Sequence, residues 1–294
     1  MKSRISVIVP TWNGEKTIKA CINSLLVQTV KPAEVIVVDN ASVDSTLSIV
    51  NKIKQHSQKV KIVRNNKNLG VAGGRNTGIK AAAKSSNYIF LFDHDMVASK
   101  KMLEELVNTV KKTGAGLVTP KIYYLKPGKL IWAAGTGVNL WTGQVIFRGG
   151  KDRGQFDAEV EVDVAPAAML IARKVLRKVR GFDERIFAVW EDTDFSFKVR
   201  KAGFKIYYSP KAVASHDLLY EPEAEAKRLL VRYGYFIGRN RIIFMKRYAK
   251  SFPLFLTMLP VYAFYYLRLA LRYNELAGYY KFLKGNYDGL MHEN

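Results

Sequence analysis

Cysteine and acidic side chains are the scarce components of this 294-residue sequence. The single cysteine, Cys21, excludes an internal disulfide framework and a Cys-rich zinc site. Its setting, TIKACINSLL, reads as the buried face of a helix, where a free thiol behaves as a small apolar group. Against 47 Lys and Arg stand only 25 Asp and Glu, a formal charge of +22. Such a deficit of acid favours polyanionic partners: nucleic acid, anionic lipid or phosphorylated substrates. Neither a helix-turn-helix nor an aromatic-decorated RNA-binding sheet is visible, so nucleic acid is not expected among them. G-x-G-x-x-G, a Walker motif, internal repeats and low-complexity segments are also missing. The N-terminal apolar run in MKSRISVIVPTWNG meets Pro10 at once. It is too short for a signal peptide, reads as a first β-strand, and fits a protein facing the cytosol.

What is present is globular: 48% hydrophobic and 24% charged residues, enough chain for one large α/β domain and an appendage. Over 1–120, apolar β-rich runs at 5–10, 34–39, 60–65, 88–93 and 116–121 alternate with helix-period stretches near 14–28, 43–56, 72–84 and 99–112. Strands of this kind, alternating with helices, predict a mostly parallel central sheet with helices on both faces. Ligands on such sheets bind at the carboxyl ends of the strands. From about 122 the pattern changes to a hairpin (KLIWAAGTGVNLWTGQVIFRGG), a strand entering a helix near Arg173, a helix stopped by Gly203, and the short strand FKIYYSP.

The strand ends hold the chemistry. Strand one ends in Pro10-Thr11-Trp12-Asn13, strand two in Asp39-Asn40-Ala41-Ser42, and strand four in Asp93-His94-Asp95. Asp93 and Asp95 share a face if the backbone stays extended, so both reach a hard divalent cation such as Mg²⁺. The glycine-rich Asn68–Gly78 stretch opens a helix, and its N–H groups are available to a diphosphate. The same glycines also suit close helix packing. Trp190-Glu191-Asp192-Thr193-Asp194 opens another helix, and His216 follows a further strand.

The last stretch, 227–294, carries 12 Lys and Arg against 3 Asp and Glu. Within it SFPLFLTMLPVYAFYYL (251–267) is a 17-residue uncharged run containing Pro253 and Pro260. That length is at the low edge of the roughly 17–25 residues a spanning helix needs. Basic flanks around an aromatic core suit an in-plane or partly inserted interfacial helix, and equally a helical pair packed on the catalytic domain with its basic residues solvated.

Taken in order, ISVIVPTWNG, VIVVDNASVDST, NNKNLGVAGGRNTGI, LFDHD, APAAMLIARKVLRKVRGFDERIFAVWEDTDFSFKVRKAG and His216 resemble the family 2 glycosyltransferases of GT-A fold, especially their rhamnosyltransferase-like branch. The resemblance covers about residues 4–217. It implies the GT-A nucleotide-diphospho-sugar transferase fold over 1–226, with a nucleotide-binding half (1–120) and an acceptor-binding half (121–226). A basic, apolar helical extension (227–294) follows. Pro10, Thr11 and Asn13 match the first nucleotide-contacting loop, and Asp39, with Asn40 and Ser42 beside it, the carboxylate that binds the base. Gly73, Arg75 and Asn76 match the loop near base and ribose. Asp93 and Asp95, with His94 between them, match the Asp-x-Asp that holds ribose and metal, and His216 a third metal ligand. Asp192 matches the general base, Glu191 an acceptor-orienting group, and Trp190 either stacks on an acceptor sugar or packs. The implied activity is inverting, Mn²⁺- or Mg²⁺-assisted sugar transfer to a glycan or lipid-linked acceptor in polysaccharide biosynthesis, peripheral on the cytoplasmic face of an anionic membrane. A nucleotidyltransferase shares the nucleotide-binding sheet and the acid pair, but would release pyrophosphate from a nucleoside triphosphate.

Overall fold

A computed structural model describes residues 3–126, 129–219 and 222–291; the rest, at the expected unit ends and within 121–226, lie outside the described residues. Ile5–Thr11 is buried throughout and forms β1, as a run without polar alternation requires of a strand covered on both faces. β2 (Glu34–Asp39), β3 (Val60–Arg64) and β4 (Tyr88–Phe92) join it through α1 (Ile18–Leu26), α2 (Thr46–His56) and α3 (Gly70–Ala81). β1 pairs in parallel with β2 and β4, and β2 with β3, so four carboxyl ends line one edge.

Next come β5 (Met96–Ala98), α4 (Met102–Thr113), β6 (Leu117–Lys126), β7 (Leu130–Ala133), the hairpin β8 (Thr136–Asn139) and β9 (Gln144–Phe147), β10 (Gly150–Lys151) and β11 (Val160–Glu161). β12 (Ala168–Ala172), α5 (Arg173–Val179), α6 (Glu191–Lys201) and β13 (Ile206–Leu219) follow. The main sheet runs β10-β7-β6-β12-β4-β1-β2-β3. β12 is antiparallel to both β4 and β6, so the run at 117–126 is separated from the parallel set by a strand from the second half. The sheet is therefore mixed. β13 pairs with β5 and sets His216 opposite Met96, next to Asp95.

Alternate residues of each strand feed two apolar clusters, one per face. Val7, Val9 and Phe90 pack with Cys21 and Ile22 of α1 and Leu106 of α4. Ile8, Ile36 and Ile89 pack with Ala72 of α3 and Phe195 of α6. The thiol of Cys21 is buried, as its sequence setting predicts.

The C-terminal part is helical: α7 (Pro222–Tyr248), α8 (Phe252–Leu256), α9 (Leu259–Tyr273) and α10 (Leu276–Met291). The expected boundary at 226/227 falls inside α7, a continuous helix. Pro253 and Pro260 begin α8 and α9 instead of kinking one long helix, positions where their missing N–H costs nothing. α7 and α10 touch backbone to backbone, since a Cβ on Gly238 would sit 2.5 Å from the Phe282 carbonyl.

Candidate active site

At the end of β4 the chain turns, with Met96 N donating to Asp93 O at 3.2 Å, so Asp93 and Asp95 are not on one extended strand. They converge all the same. Ligand atoms of Asp93, Asp95 and His216 lie within 4.8 Å of one another, and His216 Nε2 is 3.1 Å from Asp95 Oδ1. Burial works against the Asp95 charge, but the His216 imidazole holds its carboxyl well below the usual range. His94 adds to that effect and packs its ring over Gly14 beside Thr11.

Arg75 ties this group to the second acidic cluster. It is 0% exposed, and its guanidinium donates to Asp93 Oδ1 at 2.9 Å and to Asp192 Oδ1, with Glu191 Oε1 at 3.6 Å. Burial penalises the guanidinium, yet Asp192, Asp93 and Glu191 keep it charged. Asp192 Oδ2 accepts from Ala167 N at 2.9 Å, so both its oxygens are oriented. Burial, reinforced by the neighbouring Asp192, pushes the Glu191 carboxyl up to about 8. Burial also raises Asp93, with Arg75 opposing and Asp95 reinforcing.

Four carboxyl groups thus face one guanidinium and one imidazole. Buried carboxylates in excess of their cations are costly, and a divalent ion between Asp93, Asp95 and His216 removes that cost. Oxygen donors with one imidazole fit Mn²⁺ or Mg²⁺ better than a thiolate-seeking metal.

Unpartnered atoms point the same way. Among the described residues, six buried side-chain atoms lack a hydrogen-bond partner, and five belong to Thr11, Asp39, Arg75, Glu191 and His216. Asp39 Oδ1 accepts from Ser42 N at 3.1 Å, while Oδ2 has only the Arg64 guanidinium at 3.5 Å. A buried, under-satisfied carboxylate oxygen at a strand end suits a ligand N–H.

Other expected site residues also hold bonds within the fold. Asn13 N donates to Ser42 Oγ at 2.9 Å and Val43 N donates to Asn13 Oδ1 at 3.0 Å, bracing the first two strand-end loops against each other. Asn40 donates to Gly70 O at 3.0 Å and accepts from Asn65. Gly73, Arg75 and Asn76 lie within α3, not in a loop, because the glycines bring the helix against the sheet: a Cβ on Gly74 would fall 2.7 Å from Asn40 Nδ2 and 3.1 Å from Pro10. The Asn76 amide is taken up by Phe182 N, Phe182 O and Glu184. Trp190 is buried and its ring packs against Phe244. Asp194, from the same acidic run, pairs with Lys198 and Arg247.

Sequence reasoning missed the support of the α6 start. Val189 and Trp190 both take positive φ, 61° and 75°, a conformation costly for a β-branched or bulky residue. Asn240 of α7, 0% exposed, donates to the carbonyls of Ala188 and Val189 at 2.9 Å each. Arg239 donates to Arg185 O at 2.8 Å, and the Arg241 guanidinium lies 4.0 Å from the Tyr262 ring centre and 5.9 Å from that of Trp190. The Arg239-Asn240-Arg241 sequence was the available signal. A separate cavity of about 440 Å³, bordered by Lys84, Lys111, Arg173, Lys174 and Arg177, lies at the start of β4, away from these groups.

Comparison with known proteins gives the site its context. Residues 6–180 match the family model described as Glycosyl transferase family 2. The glycosyltransferase GlyG of Streptococcus pneumoniae is 30% identical over 123 residues, 42% of this chain and 40% of that protein. The pre-mycofactocin glycosyltransferase of Mycobacterium tuberculosis is 27% identical over 218 residues, 72% of this chain and 42% of that protein. The matches span less than half the length of these curated relatives. Among solved structures, S. aureus TarS 1–349 in complex with UDP is similar at TM-score 0.57 and 22% identity, covering 87% of this chain and 70% of that one. GalNAc-T7 with UDP, GalNAc and Mn²⁺ is similar at TM-score 0.61 and 17% identity, covering 88% and 56%. These likenesses give a GT-A-type fold, and the family match gives the membership: the chain belongs to glycosyl transferase family 2.

Proposed function

We propose that this chain is an inverting glycosyltransferase of the rhamnosyltransferase-like branch, moving a sugar from a UDP-, dTDP- or GDP-sugar to a hydroxyl of a glycan or lipid-linked acceptor in polysaccharide biosynthesis. The observation that carries the reading is Arg75, buried between Asp93 at the sheet edge and Asp192 at the start of α6. It joins a donor end and an acceptor end in one site. Asp39 Oδ2 takes the base N–H that uracil, thymine and guanine all offer, and Thr11 Oγ1 faces the same ligand as a free polar group. Asp93, Asp95 and His216 would hold Mn²⁺ or Mg²⁺, which when bound would supply positive charge to offset that of a departing diphosphate. Asp192 accepts the proton of the acceptor hydroxyl. The hydroxyl oxygen bonds to the anomeric carbon as the bond from that carbon to the diphosphate oxygen breaks, and a single displacement inverts the centre. Glu191, protonated below about pH 8, donates a hydrogen bond to an acceptor oxygen.

Replacing Asp192 by Asn tests the base. Asp192→Asn retains nucleoside diphosphate binding by calorimetry and loses about 10²–10⁴-fold in transfer rate. Undiminished transfer would remove Asp192 from the mechanism.

The division at 1–226 and 227–294 is proposed here as catalytic part and attachment, on the cytoplasmic face of an anionic membrane. Phe252–Tyr273 is long and apolar enough to cross a bilayer, yet only 11% of it is buried in the fold. Its two proline-started helices suit in-plane insertion better than a single span.

A further inference from the structure

The C-terminal helices and the β8–β9 hairpin both carry exposed apolar side chains. Trp141, at the turn, is 49% exposed, and Ile146 and Phe147 on β9 are 53% and 69% exposed. The hairpin also packs against the helices. Val138, Leu140 and Val145 pack into one cluster with Met245, Phe255 and Tyr262. Tyr262 Oη donates to Thr142 O at 2.9 Å, and Lys250 N donates to Leu140 O at 2.9 Å. The Gly143 turn lies so close to α8 that a Cβ there would be 2.8 Å from the Phe255 ring. Exposed Leu254, Val261 and Phe264 belong to the two helices that hold the hairpin in place.

We infer that the hairpin and α8–α9 form one docking face, and that its occupant is an anionic phospholipid bilayer, with Trp141 and Phe147 entering the interfacial layer beside the helices. The inference rests on the membrane reading above and extends it to a segment far from the C-terminus in sequence. Charge selects the occupant. Residues 136–151 and 251–274 contain no Asp or Glu, whereas Lys151, Lys250, Arg268 and Arg272 lie in or next to them, Arg272 at 3.3 Å from the exposed Glu223. A second copy of a chain with formal charge +22 would bring the same basic residues against one another, while anionic headgroups pair with them. Aromatic side chains flanked by Lys and Arg are the composition that lies at a headgroup boundary. The same apolar cluster contains Trp190, the residue before Glu191, so the face adjoins the start of the catalytic helix.

The test is co-sedimentation of the full chain with vesicles of phosphatidylcholine alone and of equal parts phosphatidylcholine and phosphatidylglycerol. The parent protein is expected to sediment with the mixed vesicles, less so at high salt, and poorly with phosphatidylcholine alone. The double variant Trp141→Ser, Phe147→Ser is expected to bind mixed vesicles at least about tenfold more weakly, since two aromatic side chains no longer leave water. Its melting temperature should fall by only a few degrees, because Phe147 is mostly and Trp141 half exposed. The charge reversals Arg268→Glu and Arg272→Glu should weaken binding too. Parent-like binding by the hairpin variant, with binding lost in the charge reversals, overturns the hairpin inference and leaves C-terminal attachment standing. No vesicle binding by the parent overturns both and leaves sugar transfer untouched. A dimer in ultracentrifugation that the hairpin variant abolishes, without vesicle binding, assigns the face to a second copy and also overturns the inference.

Discussion

Arg75 explains why several acids can share so little solvent. Its guanidinium contacts Asp93, Asp192 and Glu191, and the protein limits the remaining repulsion by raising the Glu191 carboxyl to about 8. The pH consequence has a definite sign. Folded Glu191 holds its proton up to about pH 8, whereas the unfolded side chain releases it near 4.5. The stability tied to that proton is complete below about 4.5 and is lost as pH rises toward 8. Glu191→Gln, measured by melting temperature in excess chelator, should show a shallower decline across this window than the parent; an identical decline would remove Glu191 as the responsible group. Asp39, Asp93, Asp95 and Asp192 are legible in the sequence because a carboxylate at the end of an apolar strand or the start of a helix is conspicuous. The hydrogen bonds of Asn13, Asn40 and Asn76 are not, since their partners lie 29–30, 25–30 and 106–108 residues away. An amide side chain gives no hint of whether it faces a nucleotide or a carbonyl of its own chain.

At the scale of elements, α7 reaches into the catalytic part through Asn240, whose two donors hold the left-handed backbone preceding Glu191 and Asp192. Asn240→Ala leaves two carbonyls unpaired and frees the strained turn. We expect kcat to fall about tenfold, a barrier increase of about 1.4 kcal/mol, with the donor KM little changed. A KM rise at constant kcat would show that α7 serves donor binding instead. Periodicity makes β1 to β4 readable, because each strand is built around a β-branched or aromatic apolar run and the segments between them keep helical spacing. It does not reveal that β12 inserts between β4 and β6, nor that β5 and β13 pair to deliver His216. Register between distant strands is decided by packing, which leaves no local mark on a three-residue strand such as β5. The prolines at 253 and 260 read as interruptions in the sequence; in the fold they are helix starts.

For the molecule as a whole, the shortage of acid and the acidic active site belong together. A chain with a formal charge of +22 favours phosphorylated and other anionic partners, while four of its 25 acids, Asp93, Asp95, Glu191 and Asp192, meet at one site by the sheet edge. Composition alone shows the first half of that arrangement; only the sheet edge shows the second. Sugar transfer and nucleotidyl transfer both use such an edge, and their products differ. The measurement that separates them is product release from UDP-, dTDP- and GDP-sugars with Mn²⁺ or Mg²⁺, repeated in excess EDTA and alongside nucleoside triphosphates with sugar phosphates. A glycosyltransferase releases nucleoside diphosphate from one class of sugar donor, only while the metal is present, and leaves the triphosphates untouched. Pyrophosphate from a nucleoside triphosphate, with no diphosphate from any sugar donor, would contradict it.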